Sequence, residues 1–239
     1  MSVAGPAAPS GKLFSGRIEI VEPDGRVSPY ERFAITLNPD GGRTLRTVTR
    51  SPAGDLLRDV NLMTDADWRD VEAFGRLFFK GRAHGSILRR VVGDRLRSWL
   101  WKGDGEMDYA EFDAPPRMAL GLHPVSGDAW KMNAVDPDLD ADQPLVVHTV
   151  SDSWNGASLG HGLKIACTVR PMGREILASP LGPLDCERFL WRPRPGKDLH
   201  VWRTGEARML AQMTVGTGER AGTVYRLCAL DEEAIGPCC

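Results

Sequence analysis

Regular punctuation constrains this chain more than any other feature. Runs in which apolar and polar residues alternate are interrupted, about every ten residues, by Gly, Asp, Asn and Pro. In YERFAITLN (30–38), Phe33, Ile35 and Leu37 fall on one face and Arg32 and Thr36 on the other. A side-chain period of two belongs to a strand with one buried face. Pro39-Asp40-Gly41-Gly42 follows, and Asp and Gly accept the backbone angles of a tight hairpin turn. LFSGRIEIVE (13–22), RTLRTVTRS (43–51) and GDLLRDVNLM (54–63) complete a four-stranded meander.

The rhythm changes at 64–81. Thr64 suits a helix start, Asp65 and Asp67 its positive end, and Gly81 its stop. Trp68, Val71, Phe74, Leu77 and Phe78 fall near one helical stripe, which predicts a helix. A strand through Ala73–Lys80 is the competing reading, because aromatic residues favour β structure. The meander resumes in GSILRRVVG (85–93), DRLRSWLWKG (94–103) and EMDYAEFDA (106–114). In the second of these, Leu96, Ser98 and Leu100 oppose Trp99 and Trp101. Bulk on both faces predicts a central strand. After an irregular Pro- and Asp-rich segment, PLVVHTVSD (144–152) leads through a Gly-rich loop to LKIACTVR, MGREILAS, CERFLWR, KDLHVWRT, ARMLAQMTV and GTVYRLCAL.

The resulting expectation is a mainly β fold. A large antiparallel meander curls into a barrel or half-barrel, with at most one or two short helices, because closure removes exposed edges. The predicted layout is a disordered 1–12, one β domain at 13–232 and a flexible 233–239. Within the domain, halves 13–112 and 145–232 are joined by the irregular 113–144. Long irregular connections are usually functional or linkers.

Composition narrows the function classes. Lys plus Arg number 30 and Asp plus Glu 32, so the net charge is -2 and no nucleic-acid footprint appears. Arg89, Arg90, Arg95 and Arg97 cluster; a hairpin with a basic solvent face accounts for them, and a site for an anionic substrate is the alternative. No run is long and apolar enough for a membrane span, and the opening MSVAGPAAPSGK has no signal-like apolar core. The 5 cysteines form no C-x-x-C pair, which suits a reduced, cytoplasmic protein. Exposed strand edges are compatible with a homodimer.

CERFLWRPRPGKDLHVWRTGEARMLAQMTVGTGERAGTVYRL (186–227) resembles, in strand rhythm, the last strands of bacterial lipoprotein-carrier-like proteins built on a single curved sheet. The resemblance covers the last third of the chain. It implies a curved sheet around an apolar ligand.

Several motifs carry possible chemistry. Gly156-Ala157-Ser158-Leu159-Gly160 matches G-x-S-x-G, with Asp185, Asp198 and His200 following in hydrolase order. The motif should open a helix in an alternating α/β chain, and here it precedes a strand. The 5 histidines (His84, His123, His148, His161 and His200) show no ligand spacing, so no metal is expected. Gly216-Thr217-Gly218 with Gly222 does not make a nucleotide fingerprint, so no cofactor is expected.

A polar cluster on two loops remains. One holds His123, Asp128, Trp130 and Lys131; the other holds His148, Ser151, Asp152, Trp154 and Asn155. A His beside a carboxylate can act as general base, and Lys or Tyr can hold a developing oxyanion. The leading expectation is therefore a cofactor-independent lyase, isomerase or cyclase acting on a hydrophobic or aromatic small molecule. His148 is its base, Asp152 the orienting partner, and Lys131 or Tyr109 the stabiliser. Trp99, Trp101, Trp130, Trp154, Asn155 and His161 line its substrate site, since Trp offers a flat apolar wall. The alternatives are a noncatalytic binder of an apolar metabolite, a serine hydrolase using Ser158, and a structural or partner-binding sheet.

Overall fold

A computed structural model describes residues 11–151, 158–218 and 220–235. Its strands are β1 (Gly11–Val21), β2 (Val27–Leu37), β3 (Arg43–Arg50), β4 (Leu56–Thr64), β5 (Asp70–Phe79), β6 (Arg82–Val92), β7 (Arg95–Lys102) and β8 (Met107–Asp113). They continue as β9 (Met118–Gly121), β10 (Gln143–Thr149), β11 (Lys164–Ser179), β12 (Gly182–Arg194), β13 (Lys197–Thr204), β14 (Met209–Val215) and β15 (Val224–Ile235). The α-helix α1 (Ser126–Lys131) and a 3-10 turn (Met132–Ala134) lie between β9 and β10.

All the strands join one sheet in the order β8-β7-β6-β5-β4-β3-β2-β1-β15-β14-β13-β12-β11-β10-β9. Neighbouring strands are antiparallel except β9 and β10, which run parallel. The expected meander is thus the observed architecture, with β1 on β15 bringing the two arms together. Bulges at Arg17/Ile18 and Ile18/Glu19 sit where β1 meets its two neighbours, and bulges increase local twist. Alternation sets the inner face: Phe33 and Ile35 on β2, Leu45 on β3, Val60 and Leu62 on β4, and Leu199 and Val201 on β13 are all buried. Each such aliphatic or aromatic side chain contributes roughly 1.5–3 kcal/mol on burial.

The helix predicted at 64–81 is not formed. Thr64 ends β4, and β5 returns as its hairpin partner. The Asp65 carboxylate accepts backbone hydrogen bonds from Asp67 and Arg69, both at 2.9 Å, so it builds the turn instead of starting a helix. Trp68, at φ 63°, lies in that turn, outside any helical stripe. Ladder partners on both sides then decide for strand over β5. Two further readings change. LKIACTVR and MGREILAS fuse into the single bulged β11, and the irregular 113–144 contains β9, α1 and the first residues of β10.

From Gly121 the chain leaves the sheet and crosses its concave side. Every residue of α1 is buried, as are Leu122, Val125 and Met132. Leu122 packs over Gly75 of β5, where a Cβ would come within 3.0 Å of its Cδ2. Gly127 faces Leu45 and Leu62. This plug fills the curl, and the gap left beside Arg58, Leu122 and Ser158 is about 10 Å³, hardly a water's room.

Among the described residues, the two ends of the sheet approach without forming a ladder. The β6–β8 end laps over β10, with the Phe112 and His148 rings 4.5 Å apart. Asp70 of β5 accepts the Leu120 N–H of edge strand β9 at 2.6 Å. Side chains, not strand pairing, close this seam.

Candidate functional site

Arg89 is the centre of the seam. It follows the same alternation as Ile87 on β6, so its side chain points inward and is fully buried. Its Nη1 donates to the His148 carbonyl at 2.6 Å, and its Nη2 donates to the carbonyls of Thr149 (3.0 Å) and His161 (2.5 Å). Burial lowers its pKa to about 9. The predicted basic solvent face therefore holds for Arg90, Arg95 and Arg97 but not for Arg89. Gly162 lies against this contact at φ 84°, where a Cβ would meet the Thr149 carbonyl oxygen at 1.4 Å.

A second polar line anchors the plug. The buried Glu31 carboxylate accepts the N–H groups of Val125 and Ser126, both at 3.0 Å, and the Thr49 hydroxyl at 2.8 Å. It caps α1, whose N-cap Val125 has no side-chain oxygen to offer. Burial pushes its pKa up, against these hydrogen bonds. Arg58 donates to the His123 carbonyl at 2.9 Å, and His123 is held at φ 70°. His123 Nε2 lies 3.0 Å from Thr149 Oγ1, and Thr149 Oγ1 donates to the Ser151 carbonyl at 3.2 Å. Ser151 Oγ is 2.6 Å from Ser158 Oγ. At the other end of the plug, Trp130 Nε1 donates to the Ala207 carbonyl at 3.1 Å, and Trp130 packs edge-on against Trp68 at 5.4 Å.

The predicted site residues are dispersed. His148 is buried at the seam; burial, reinforced by Arg89, lowers its pKa to about 4, so it is neutral at pH 7 and a weak base. Lys131 is buried in α1, paired with Asp128 and lying 5.1 Å from the Trp191 ring. Trp130 belongs to the core. Trp99, Trp101 and Tyr109 take the outer face of β7 and β8, where Trp99 and Tyr109 meet at 5.5 Å and Tyr109 donates to Glu111. Among the described members of the predicted set, only this pair is in ring contact. His161 Nδ1 is 3.0 Å from Ser98 Oγ, and its Nε2 is 3.3 Å from Asp108. Asp152, Trp154 and Asn155, with Gly156 and Ala157 of the G-x-S-x-G motif, lie outside the described residues. A surface cleft of about 510 Å³, formed by 137–140 and 170–173, includes none of these residues.

Sequence reasoning passed over Arg58 and Glu31, and placed Arg89 on a solvent face or at an anionic-substrate site and not at the seam. Parity was the available signal: each shares the alternation of inward apolar neighbours, and a charged residue at an inward position is a structural or functional marker.

No family model matches the chain, and no curated protein matches its sequence. A solved structure shares its fold. A β-barrel-like protein of domain of unknown function DUF1849 from Brucella abortus has a TM-score of 0.55 at 10% identity, covering 95% of this chain and 99% of that one. A DUF1089 family protein from Pseudomonas aeruginosa gives 0.46 at 13% identity, covering 78% and 90%. A putative outer membrane lipoprotein-sorting protein domain from Vibrio parahaemolyticus gives 0.27 at 9% identity, covering 93% and 85%. The first shows a common curled-sheet fold; the other two are too distant to bear on function.

Proposed function

We propose that the protein is a noncatalytic binder of an apolar small molecule, taken up on the concave face now covered by its own plug. One observation carries the reading: the apolar inner face is covered by a single pass of chain that forms no ladder with it. Besides its buried apolar side chains, a few side-chain hydrogen bonds hold the plug: Arg58 donates to the His123 carbonyl, the Val125 and Ser126 N–H groups donate to Glu31, and Trp130 donates to the Ala207 carbonyl. A covering of this kind can exchange for a ligand whose own apolar surface replaces the burial of Leu122, Val125, Trp130 and Met132, at the cost of those hydrogen bonds, whereas a paired strand cannot leave without exposing a ladder edge. The dispersal of His148, Lys131 and Tyr109 favours binding over acid–base catalysis, since a general base and its stabiliser must reach one substrate.

N-phenyl-1-naphthylamine, a neutral apolar probe, tests the reading. Saturable probe fluorescence should accompany a change in the Trp emission as Trp130 leaves Trp68. A linear, non-saturating response with unchanged Trp emission would refute it.

A second reading, acyl transfer at Ser158, draws on the contact of the Ser158 and Ser151 hydroxyls and on the Ser151 backbone, whose carbonyl accepts from the Thr149 hydroxyl beside His123. Burial lowers the His123 pKa to about 3, which makes it a poor base. Covalent labelling of Ser158 by a fluorophosphonate would favour this reading; an unlabelled chain would remove it.

A further inference from the structure

The two arms of the sheet also meet at the carboxyl-terminal end of the plug. The β4–β5 turn (65–69) and the β13–β14 turn (205–208) belong to hairpins that β3, β2, β1 and β15 separate in the sheet, yet they close on the same side chains. The Arg208 guanidinium carbon lies 4.6 Å from the centre of the Trp68 ring, and that of Arg43 lies 4.2 Å from it. The negative face of an indole attracts both cations. Arg43 also ties down its turn, donating to the Asp65 and Ala66 carbonyls at 2.8 and 2.7 Å. The plug touches both turns. Trp130 meets Trp68 edge-on and donates to the Ala207 carbonyl, and Asn133 Oδ1 accepts from Arg208 at 2.5 Å and from Arg203 at 2.6 Å.

Both residues at the centre of this contact are strained. Trp68 at φ 63° and Arg208 at φ 49° occupy the left-handed region, which residues other than Gly, Asn and Asp rarely adopt. Burial, and after it the neighbouring Arg203, lower the Arg208 pKa to about 10, so its guanidinium gains by returning to water. The other end of the plug differs. Opening there would strip the buried Glu31 carboxylate of the Val125 and Ser126 N–H donors. Leaving a buried charge short of donors costs more than parting Arg208 from a neutral ring and a neutral amide.

We propose that the Trp68 and Arg208 turns form a latch across the plug, and that parting this latch uncovers the concave face while the Glu31 end stays docked as the hinge. The proposal rests on the apolar-binder reading above and adds the route by which that ligand enters.

Proton exchange followed by NMR on the full chain tests the latch without a ligand. The Trp130 indole N–H reports on the latch end, and the Val125 and Ser126 amides report on the hinge end. Arg208→Asn keeps a residue tolerant of the left-handed backbone and deletes the guanidinium. The expected result is at least fivefold faster exchange of the Trp130 indole proton in the variant, with Val125 and Ser126 unchanged. No acceleration, or equal acceleration of all three protons, would overturn the latch, because opening would then be independent of Arg208 or global. Stopped-flow mixing with N-phenyl-1-naphthylamine tests the route. Probe association at least fivefold faster with Arg208→Asn supports it. Equal association rates of a saturable probe would overturn the route and leave the apolar reading standing. A probe that does not saturate, beside an accelerated indole proton, would overturn the apolar reading and the route with it. If circular dichroism shows Arg208→Asn unfolded, Arg208→Lys decides by the same readouts, since an ammonium keeps the charge and loses the planar contact with Trp68.

Discussion

Replacing Arg89 with Met tests what closes the seam. Met keeps much of the apolar stem and deletes the guanidinium, removing three hydrogen bonds to the carbonyls of His148, Thr149 and His161. Hydrogen bonds to a charged group contribute roughly 1.5–3 kcal/mol each, so about 5–9 kcal/mol for the set. Desolvation opposes them. Lowering the Arg89 pKa from 12.5 to about 9 corresponds to about 5 kcal/mol, at about 1.36 kcal/mol per unit. The hydrogen bonds win by a small margin, so Arg89→Met should lose about 2 kcal/mol, or ~4–8 °C in Tm. Arg89→Lys should lose more: it keeps a buried charge, and one ammonium cannot span the three carbonyls. Urea denaturation of the three proteins at pH 7 measures this. Arg89→Met as stable as the parent would mean that desolvation dominates and that the seam is held by packing; Arg89→Lys more stable than Arg89→Met would mean that one ammonium serves the carbonyls and would refute the need for a three-way fork.

Three further outcomes follow from the same regions. Because the folded-state pKa of His148 is lowered to about 4 from 6.5, its contribution is complete above pH 6.5 and lost as pH falls toward 4. Urea midpoints should reveal a loss of about 3 kcal/mol over that range, and His148→Gln should flatten the decline. Asp70 runs the other way: burial raises its pKa from 3.8 to about 7, so its contribution is present at low pH and lost as pH rises to 7. Asp70→Asn should therefore stabilise the protein at pH 8 by a few kcal/mol, on the order of the shift, and change little at pH 4. Gly162→Ala places a Cβ on the Thr149 carbonyl oxygen at a left-handed backbone position, and should cost about 3 kcal/mol or more by thermal melting. An unaltered Tm would mean that the loop is not seated against Arg89.

Much of the architecture was legible because strand alternation is a local property. Phe33, Ile35 and Leu45 declare an inner face by spacing alone, and Asp40-Gly41-Gly42 declares its turn by backbone preference. The 64–81 segment misled because Thr64, Asp65 and Asp67 suit a helix start and an Asx turn equally well, and only the ladder partners of β5 choose between them. The candidate site was less legible still. Trp99 and Trp101 can be separated from Leu96 and Leu100 by parity, but which set faces inward depends on the direction in which the sheet curls.

The sequence by itself determined that this chain is a curled antiparallel meander, because most strands carry their own period and most turns their own residues. Only the tertiary structure decided what fills the curl and how it closes. The Trp130 segment covers the concave face because apolar residues from distant strands surround it there. Arg89 closes the seam because carbonyls of residues 148, 149 and 161 converge on it from far along the chain. Those meetings depend on long-range packing, which no local spacing encodes.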